Sequence, residues 1–183
     1  MKNDKTYKIV MTGLMMCLVM VATMIIRIPI PATEGYVHLG DAAIFMSVLI
    51  LGKKGGAFAA GIGSALADLL SGYAYYAPIT LVVKALMAFL TGLVLEHMEK
   101  RGQIEESVSH RRLTVMEVAA MVSGGAVMAA GYYIAESFMY GSWVTPLASI
   151  PANIGQFVAG TVIATILAQM LYRTPAKKYF AIK

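Results

Sequence analysis

Six polar side chains interrupt the apolar stretches of this sequence, and they could bind a solute, relay a proton or pair with one another. They are Asp41, Asp68, Lys84, Glu136, Asn153 and Gln156. Ionisable residues within membrane-spanning segments are costly and usually face a water-filled cavity or a partner. These six fall at one depth on five predicted helices, so they predict a water-accessible pocket. Internal ion pairs that only hold helices together, such as Lys84 with Asp68 or Glu136, are the alternative.

His38 and Asp41 are three residues apart and would share one face of a helix. This spacing suits two metal ligands, but no third ligand accompanies them. We therefore expect a helix-capping or loop-anchoring role for both residues and no metal site.

The arrangements that mark enzymes are missing from the sequence. It has no Walker-type phosphate loop, and the serine within Gly61–Ala65 is misplaced for a nucleophile elbow. No paired carboxylates and no Ser/His/Asp arrangement are evident. The sequence therefore predicts neither an enzyme nor a bound cofactor.

The composition indicates which elements position the polar residues. Of the 183 residues, 58% are hydrophobic and 14% are charged, against about 45–50% and about 25% in soluble domains. Apolar runs predict an all-α membrane protein of one domain, residues 1–183, with six spans at about 9–28, 37–51, 55–71, 78–96, 113–139 and 147–172. The second and third spans are short for a bilayer that needs about 20 apolar residues per helix. A re-entrant hairpin would bury Lys53 and Lys54 in hydrocarbon, so two crossings are preferred.

The basic residues predict the orientation of the chain. If both termini lie on one side, that side carries 13 of the 15 lysine and arginine residues, with only Arg27 and Lys84 elsewhere. The positive-inside rule then places both termini in the cytoplasm of a multi-pass cell-membrane protein. The net charge of +5 is explained by this bias and does not indicate nucleic-acid binding. Tyrosines and the only tryptophan crowd the outer loops, where an aromatic belt is the alternative to a binding role.

The first span has a face of small residues. Gly13 and Cys17 are four residues apart, a spacing that lets another helix approach closely within lipid. The spacing does not show whether that helix is internal or belongs to a partner.

The segments Ile28–Pro31, Gly35–Ala42, Gly52–Gly56 and Gly61–Asp68 together resemble the S components of energy-coupling-factor (ECF) vitamin transporters. The resemblance covers nearly all the chain and is strongest from Arg27 to Glu96. Within the family it is most similar to the members for hydroxymethylpyrimidine, a thiamine precursor, or pyridoxine, with the riboflavin type next. The chain begins Met1-Lys2, whereas nickel and cobalt members begin Met-His, so the resemblance does not extend to metal transport.

The resemblance implies a six-helix S-component fold that captures a small vitamin on the outer side, under the first loop. Its implied partners are a membrane T component, which docks on the face of Gly13 and Cys17, and two ABC-type ATPases. A stand-alone ion-coupled carrier, with Asp68 or Glu136 as the proton site, is the alternative, and an intramembrane enzyme comes third. The predicted substrate-binding residues are Glu34, His38, Asp41, Tyr76, Lys84, Tyr132, Glu136, Trp143, Asn153 and Gln156.

Overall fold

Long apolar helices make up most of the protein. The computed structural model describes residues 4–30, 35–101 and 115–181. Five helices in these ranges are long and apolar enough to cross a membrane. They are α1 (Asp4–Ile25), α2 (Gly40–Leu70), α3 (Ala77–Lys100), α4 (Val115–Tyr140) and α5 (Ile150–Tyr172), and short 3₁₀ turns cover Thr145–Ser149 and Pro175–Tyr179. The described residues thus contain five long helices and not the six separate ones predicted.

The difference arises in α2, which contains both the second and the third predicted span. Gly52 is its one non-helical residue, with φ of 71° and ψ of −178°. A Cβ added to Gly56 would lie 2.8 Å from the Cα of Val48, whereas residues eight apart in a straight helix are separated by about 12 Å. The helix therefore folds back on itself at a single glycine, whose positive φ any other residue would adopt only with strain.

Two short strands follow α1 in the region predicted to be an outer loop. Strands β1 (Arg27–Ile30) and β2 (Gly35–His38) pair antiparallel, with Pro29 opposite Tyr36. The hairpin lies at the same end of the bundle as the α2–α3 turn and the α4–α5 connection, which we call the hairpin end. Glu34 falls outside the described residues.

The opposite end of the bundle carries the reversal at Gly52. Lys53 and Glu96 form an ion pair of 2.6 Å there, linking α2 to α3. Phe180, near the end of the described chain, is buried against Tyr172, and the amide of Ala181 donates to the carbonyl of Leu49. The tail thereby satisfies a carbonyl that the break at Gly52 removes from the helix ladder.

Burial separates the inside of the bundle from its surface. The largest fully buried apolar side chains include Phe45, Met87, Leu95 and Met121. Many large apolar side chains remain exposed along all five helices, which in water would be unfavourable but in lipid is expected.

Candidate functional site

A cleft enters the bundle at the hairpin end. The cleft is narrow, with an accessible volume of about 30 Å³. Residues from both strands and from α2 to α5 line it: Ile30, Tyr36, His38, Asp68, Tyr76, Thr80, Tyr132, Glu136, Asn153 and Gln156. The lining combines aromatic rings with a few polar groups, as ligand sites commonly do.

His38 is held in a defined protonation state where β2 meets α2. Its Nδ1 accepts a hydrogen bond of 2.9 Å from the amide of Gly40, so this nitrogen carries no proton. Burial, followed by the charge of Lys84, lowers the pKa of His38 to about 3, with Asp41 acting in the opposite direction. The imidazole is therefore neutral at ordinary pH, and its Nε2 carries the proton as a hydrogen-bond donor.

Tyr36 connects the hairpin to the end of α2. Its hydroxyl donates to Asp68 Oδ1 at 2.5 Å, and its ring packs on Tyr73 with centroids 4.6 Å apart. Burial and, next, the hydrogen bond to Asp68 raise the pKa of Tyr36, so the phenol stays protonated. The bond closes one side of the cleft.

Glu136 lies on the other side of the cleft and has both carboxylate oxygens bonded. Oε1 accepts from the hydroxyl of Tyr76 at 3.1 Å and Oε2 from Ser149 at 2.7 Å. Burial, and then hydrogen bonding to Tyr140, raise the pKa of Tyr76, so it too remains a donor. The Tyr132 hydroxyl is similarly engaged, donating to Thr80 Oγ1 at 3.2 Å.

Asn153 differs from the other polar residues of the lining. It is buried, with an exposed fraction of 6%, yet no side chain or backbone group within the described ranges hydrogen-bonds its side-chain amide. The residue lines the cleft, where a ligand can reach its amide. The Asn153 amide is therefore free to bond a ligand, as are the Nε2–H of His38 and Oδ2 of Asp68, which also has no described partner.

Asp41 and Lys84 lie behind the cleft and not in its lining. Both side chains are fully buried, and Lys84 Nζ is 2.5 Å from Asp41 Oδ1. Lys84 also lies over the ring of Tyr132, 5.6 Å from its centroid. The ion pair therefore joins Lys84 to Asp41, and the pairing with Asp68 or Glu136 considered from the sequence is wrong.

Of the ten predicted binding residues, six line the cleft: His38, Tyr76, Tyr132, Glu136, Asn153 and Gln156. Trp143 does not, because it is 57% exposed and packs against Phe138 and Tyr133 on the surface. The list of predicted binding residues omitted Ile30, Tyr36 and Thr80, and also Asp68, which was predicted for the pocket but not as a ligand contact. Two of these share a face with predicted residues: Tyr36 is two residues before His38 in a strand, and Thr80 is four before Lys84 in a helix.

The small-residue face of α1 points away from the rest of the bundle. A Cβ added to Gly13 would have no atom within 4 Å, and Cys17 is exposed. Large apolar side chains surround it, among them Ile9, Leu14 and Leu18, all exposed. Among the described residues, no cluster of three His, Cys, Asp or Glu could hold a metal ion.

Comparison with known proteins identifies the family. The model of the family described as ECF-type riboflavin transporter, S component, matches residues 3–173. The chain belongs to this family. The resemblance noted from the sequence is thereby confirmed, and the chain is a multi-pass membrane protein of a transporter family and not an enzyme.

Two relatives and two solved structures are similar to this chain. An uncharacterised protein of Pyrococcus woesei is 35% identical over 84% of this chain and 93% of the relative. The thiamine precursor transporter HmpT of Lactococcus lactis is 26% identical over 95% of this chain and 93% of the relative. ThiT from Listeria monocytogenes has the same fold, with a TM-score of 0.67 and 18% identity. The match covers 97% of this chain and 99% of ThiT. The S component of a bacterial ECF transporter gives a TM-score of 0.65, with 17% identity and coverage of 92% and 97%.

Proposed function

We propose that this S component captures a small, unphosphorylated aromatic vitamin or vitamin precursor in the cleft at the hairpin end. The observation that carries the proposal is the Asn153 amide, which lies in the lining of the cleft and has no hydrogen-bond partner among the described residues. A ligand that accepts a hydrogen bond from this amide, or donates one to it, supplies the partner that the protein does not. Tyr76 and Tyr132 offer flanking aromatic surface, and His38 offers an Nε2–H donor.

The charges of the cleft narrow the class of ligand. Asp68 and Glu136 line it, whereas none of the described lining residues is a lysine or arginine. Lys84 lies close by, but its charge is opposed by that of Asp41 at 2.5 Å. An anionic ligand such as a phosphate ester would meet two acidic side chains and no basic one in the described lining, so the site favours a neutral or cationic ligand.

The size of the cleft and the relatives point to particular candidates. Hydroxymethylpyrimidine fits the HmpT relative, and pyridoxine is a ring of similar size. Riboflavin, the substrate in the name of the family, is the larger alternative. The narrowness of the cleft favours the single-ring ligands over riboflavin.

Delivery to the cytoplasm requires partners and an orientation. We infer six crossings, because the reversal at Gly52 divides α2 into two antiparallel halves, and cytoplasmic termini, because 13 of 15 basic residues then lie inside. The cleft then faces outward. The exposed face of Gly13 and Cys17 would dock on a T component that two ATPases energise.

Ligand binding to the purified protein tests the capture proposal. Hydroxymethylpyrimidine, pyridoxine and riboflavin are titrated beside their phosphate esters by calorimetry. One unphosphorylated compound is expected to bind at least about 100-fold more tightly than its ester, since like charges oppose the ester. Equal or tighter binding of the esters would contradict the proposed ligand class.

Uptake by cells distinguishes the ECF mechanism from the ion-coupled carrier. The chain is expressed with and without a T component and ATPases in cells that lack their own. Uptake is expected only with the complete set. Concentrative uptake by the chain alone would instead support a carrier.

A further inference from the structure

A chain of buried hydrogen bonds links α3 to strand β2 behind the cleft. Lys84 Nζ donates to Asp41 Oδ1 at 2.5 Å, and Gln156 Nε2 donates to Asp41 Oδ2 at 3.0 Å. The other end of the same amide, Gln156 Oε1, accepts the backbone N–H of His38 at 3.0 Å. The three side chains are buried to at least 97%, so water has little access to these bonds.

The carboxylate of Asp41 decides which way the Gln156 amide faces. An ionised carboxylate only accepts hydrogen bonds, so Gln156 must present its NH₂ group to Asp41. The carbonyl oxygen then necessarily faces the other way, toward the His38 amide. Lys84 keeps Asp41 ionised in a dry environment, where an unpaired carboxylate would be strongly disfavoured.

We propose that the Asp41–Lys84 ion pair is a positioning element for ligand capture, which orients Gln156 and thereby holds strand β2 over the cleft. The inference rests on the proposed function for its role in capture, whereas the orientation itself is a property of the free protein. Asp41 and Lys84 touch no ligand in this account. Gln156 transmits their effect to the strand that carries His38.

The packing around Asp41 supports a fixed geometry. A Cβ added to Gly160, one helical turn beyond Gln156, would lie 2.7 Å from the Cβ of Asp41. Helix α5 therefore approaches the start of α2 as closely as a glycine permits, which keeps Gln156 within reach of the carboxylate. A larger residue at 160 would separate the two helices.

Hydrogen exchange at the His38 amide in the ligand-free protein reads out this linkage. Replacing the pair by Asp41→Asn with Lys84→Met removes both charges of the pair. An asparagine can offer Gln156 either an oxygen or an NH₂ group, so only the His38 amide then favours the original orientation of Gln156. We expect exchange to become faster by up to about tenfold, because the loss of one buried hydrogen bond changes the opening equilibrium by that factor. Gln156→Met should have the same effect.

The combination of all three substitutions separates positioning from general destabilisation. If the pair acts through Gln156, the triple variant exchanges no faster than Gln156→Met alone, because the same bond is lost only once. Effects that multiply, or exchange that stays unchanged when the pair is removed, would overturn the proposal. If the Asp41→Asn/Lys84→Met protein fails to fold, Gly160→Ala takes its place, alone and combined with Gln156→Met. The same changes in His38 exchange are then expected.

A matched control lies on the same two helices. Lys53→Met with Glu96→Gln removes the other α2–α3 ion pair, at the opposite end of the bundle, and should leave His38 exchange unchanged.

Dissociation of bound hydroxymethylpyrimidine or riboflavin should be about tenfold faster without the Asp41–Lys84 pair and unchanged in the control. If no ligand binds the wild type, the proposed function fails, while the exchange experiment still decides the positioning role.

Discussion

Acidification should loosen the hairpin end through His38. The pKa of this side chain falls from about 6.5 in an unfolded chain to about 3 in the structure, and its Nδ1 accepts from Gly40 only when unprotonated. Because the folded pKa is the lower one, the unfolded or opened state binds the proton first. The contribution of neutral His38 to stability is complete above pH 6.5 and is lost as the pH falls toward 3.

The size of the effect follows from the linkage of proton binding to unfolding. Each pH unit below 6.5 lowers the free energy of unfolding by about 1.4 kcal/mol, so the loss at pH 5 is about 2 kcal/mol. For a chain of this length that is a fall in Tm of roughly 4–8 °C between pH 7.5 and pH 5. The measurement is thermal unfolding in detergent at both pH values, together with hydrogen exchange of residues 35–41.

His38→Asn provides the control for this prediction. Asparagine Oδ1 can replace Nδ1 as the acceptor for the Gly40 amide but does not titrate in this range. The charged groups facing His38 from α2 and α3 are Asp41 and Lys84, which remain in both proteins. The variant should lose most of the difference between pH 7.5 and 5, and an undiminished pH dependence would refute the role given to His38.

Three further predictions concern the tail, the docking face and the orientation. Phe180→Ala should lower the free energy of unfolding by about 3 kcal/mol, because it empties a buried site against α5; a thermal shift no larger than that of a surface substitution would contradict this. Leucine at Gly13 or Cys17 should abolish co-purification with a T component yet leave ligand binding intact, and undisturbed assembly would assign the face another role. In a Cys17→Ala background, a single cysteine at Ser142 should react with a membrane-impermeant thiol reagent on intact cells while one at Ser109, outside the described residues, should not; the reverse pattern would invert the topology.

The buried polar residues were predictable as a group because lipid gives them no alternative partner. Asp41, Lys84, Glu136, Asn153 and Gln156 stand out in apolar runs, and the structure places all of them at the hairpin end. Their pairing was not predictable. Whether Lys84 meets one carboxylate or another depends on the rotation and approach of helices, which residue spacing does not determine.

Local structure limited the prediction at two other places. Two prolines, Pro29 and Pro31, indicated a loop, so the strand alternation that directs Tyr36 and His38 to one face went unrecognised. The reversal within α2 depends on one glycine in a positive-φ conformation, whereas a separate connection between two helices was expected. Trp143 was chosen for its chemistry, but its neighbours place it on the surface.

The affinity of an Asn153→Ala variant tests the central claim most directly. The ligand is the compound of the panel that binds the wild type most tightly, or the one that native mass spectrometry finds bound after purification. The account predicts a loss of about 1–3 kcal/mol, or about 5- to 150-fold in Kd, with an unchanged Tm, since no described protein group loses a partner. The control Trp143→Ala should bind as the wild type does. Wild-type affinity in Asn153→Ala, or a comparable loss in Trp143→Ala, would contradict the placement of the ligand in this cleft.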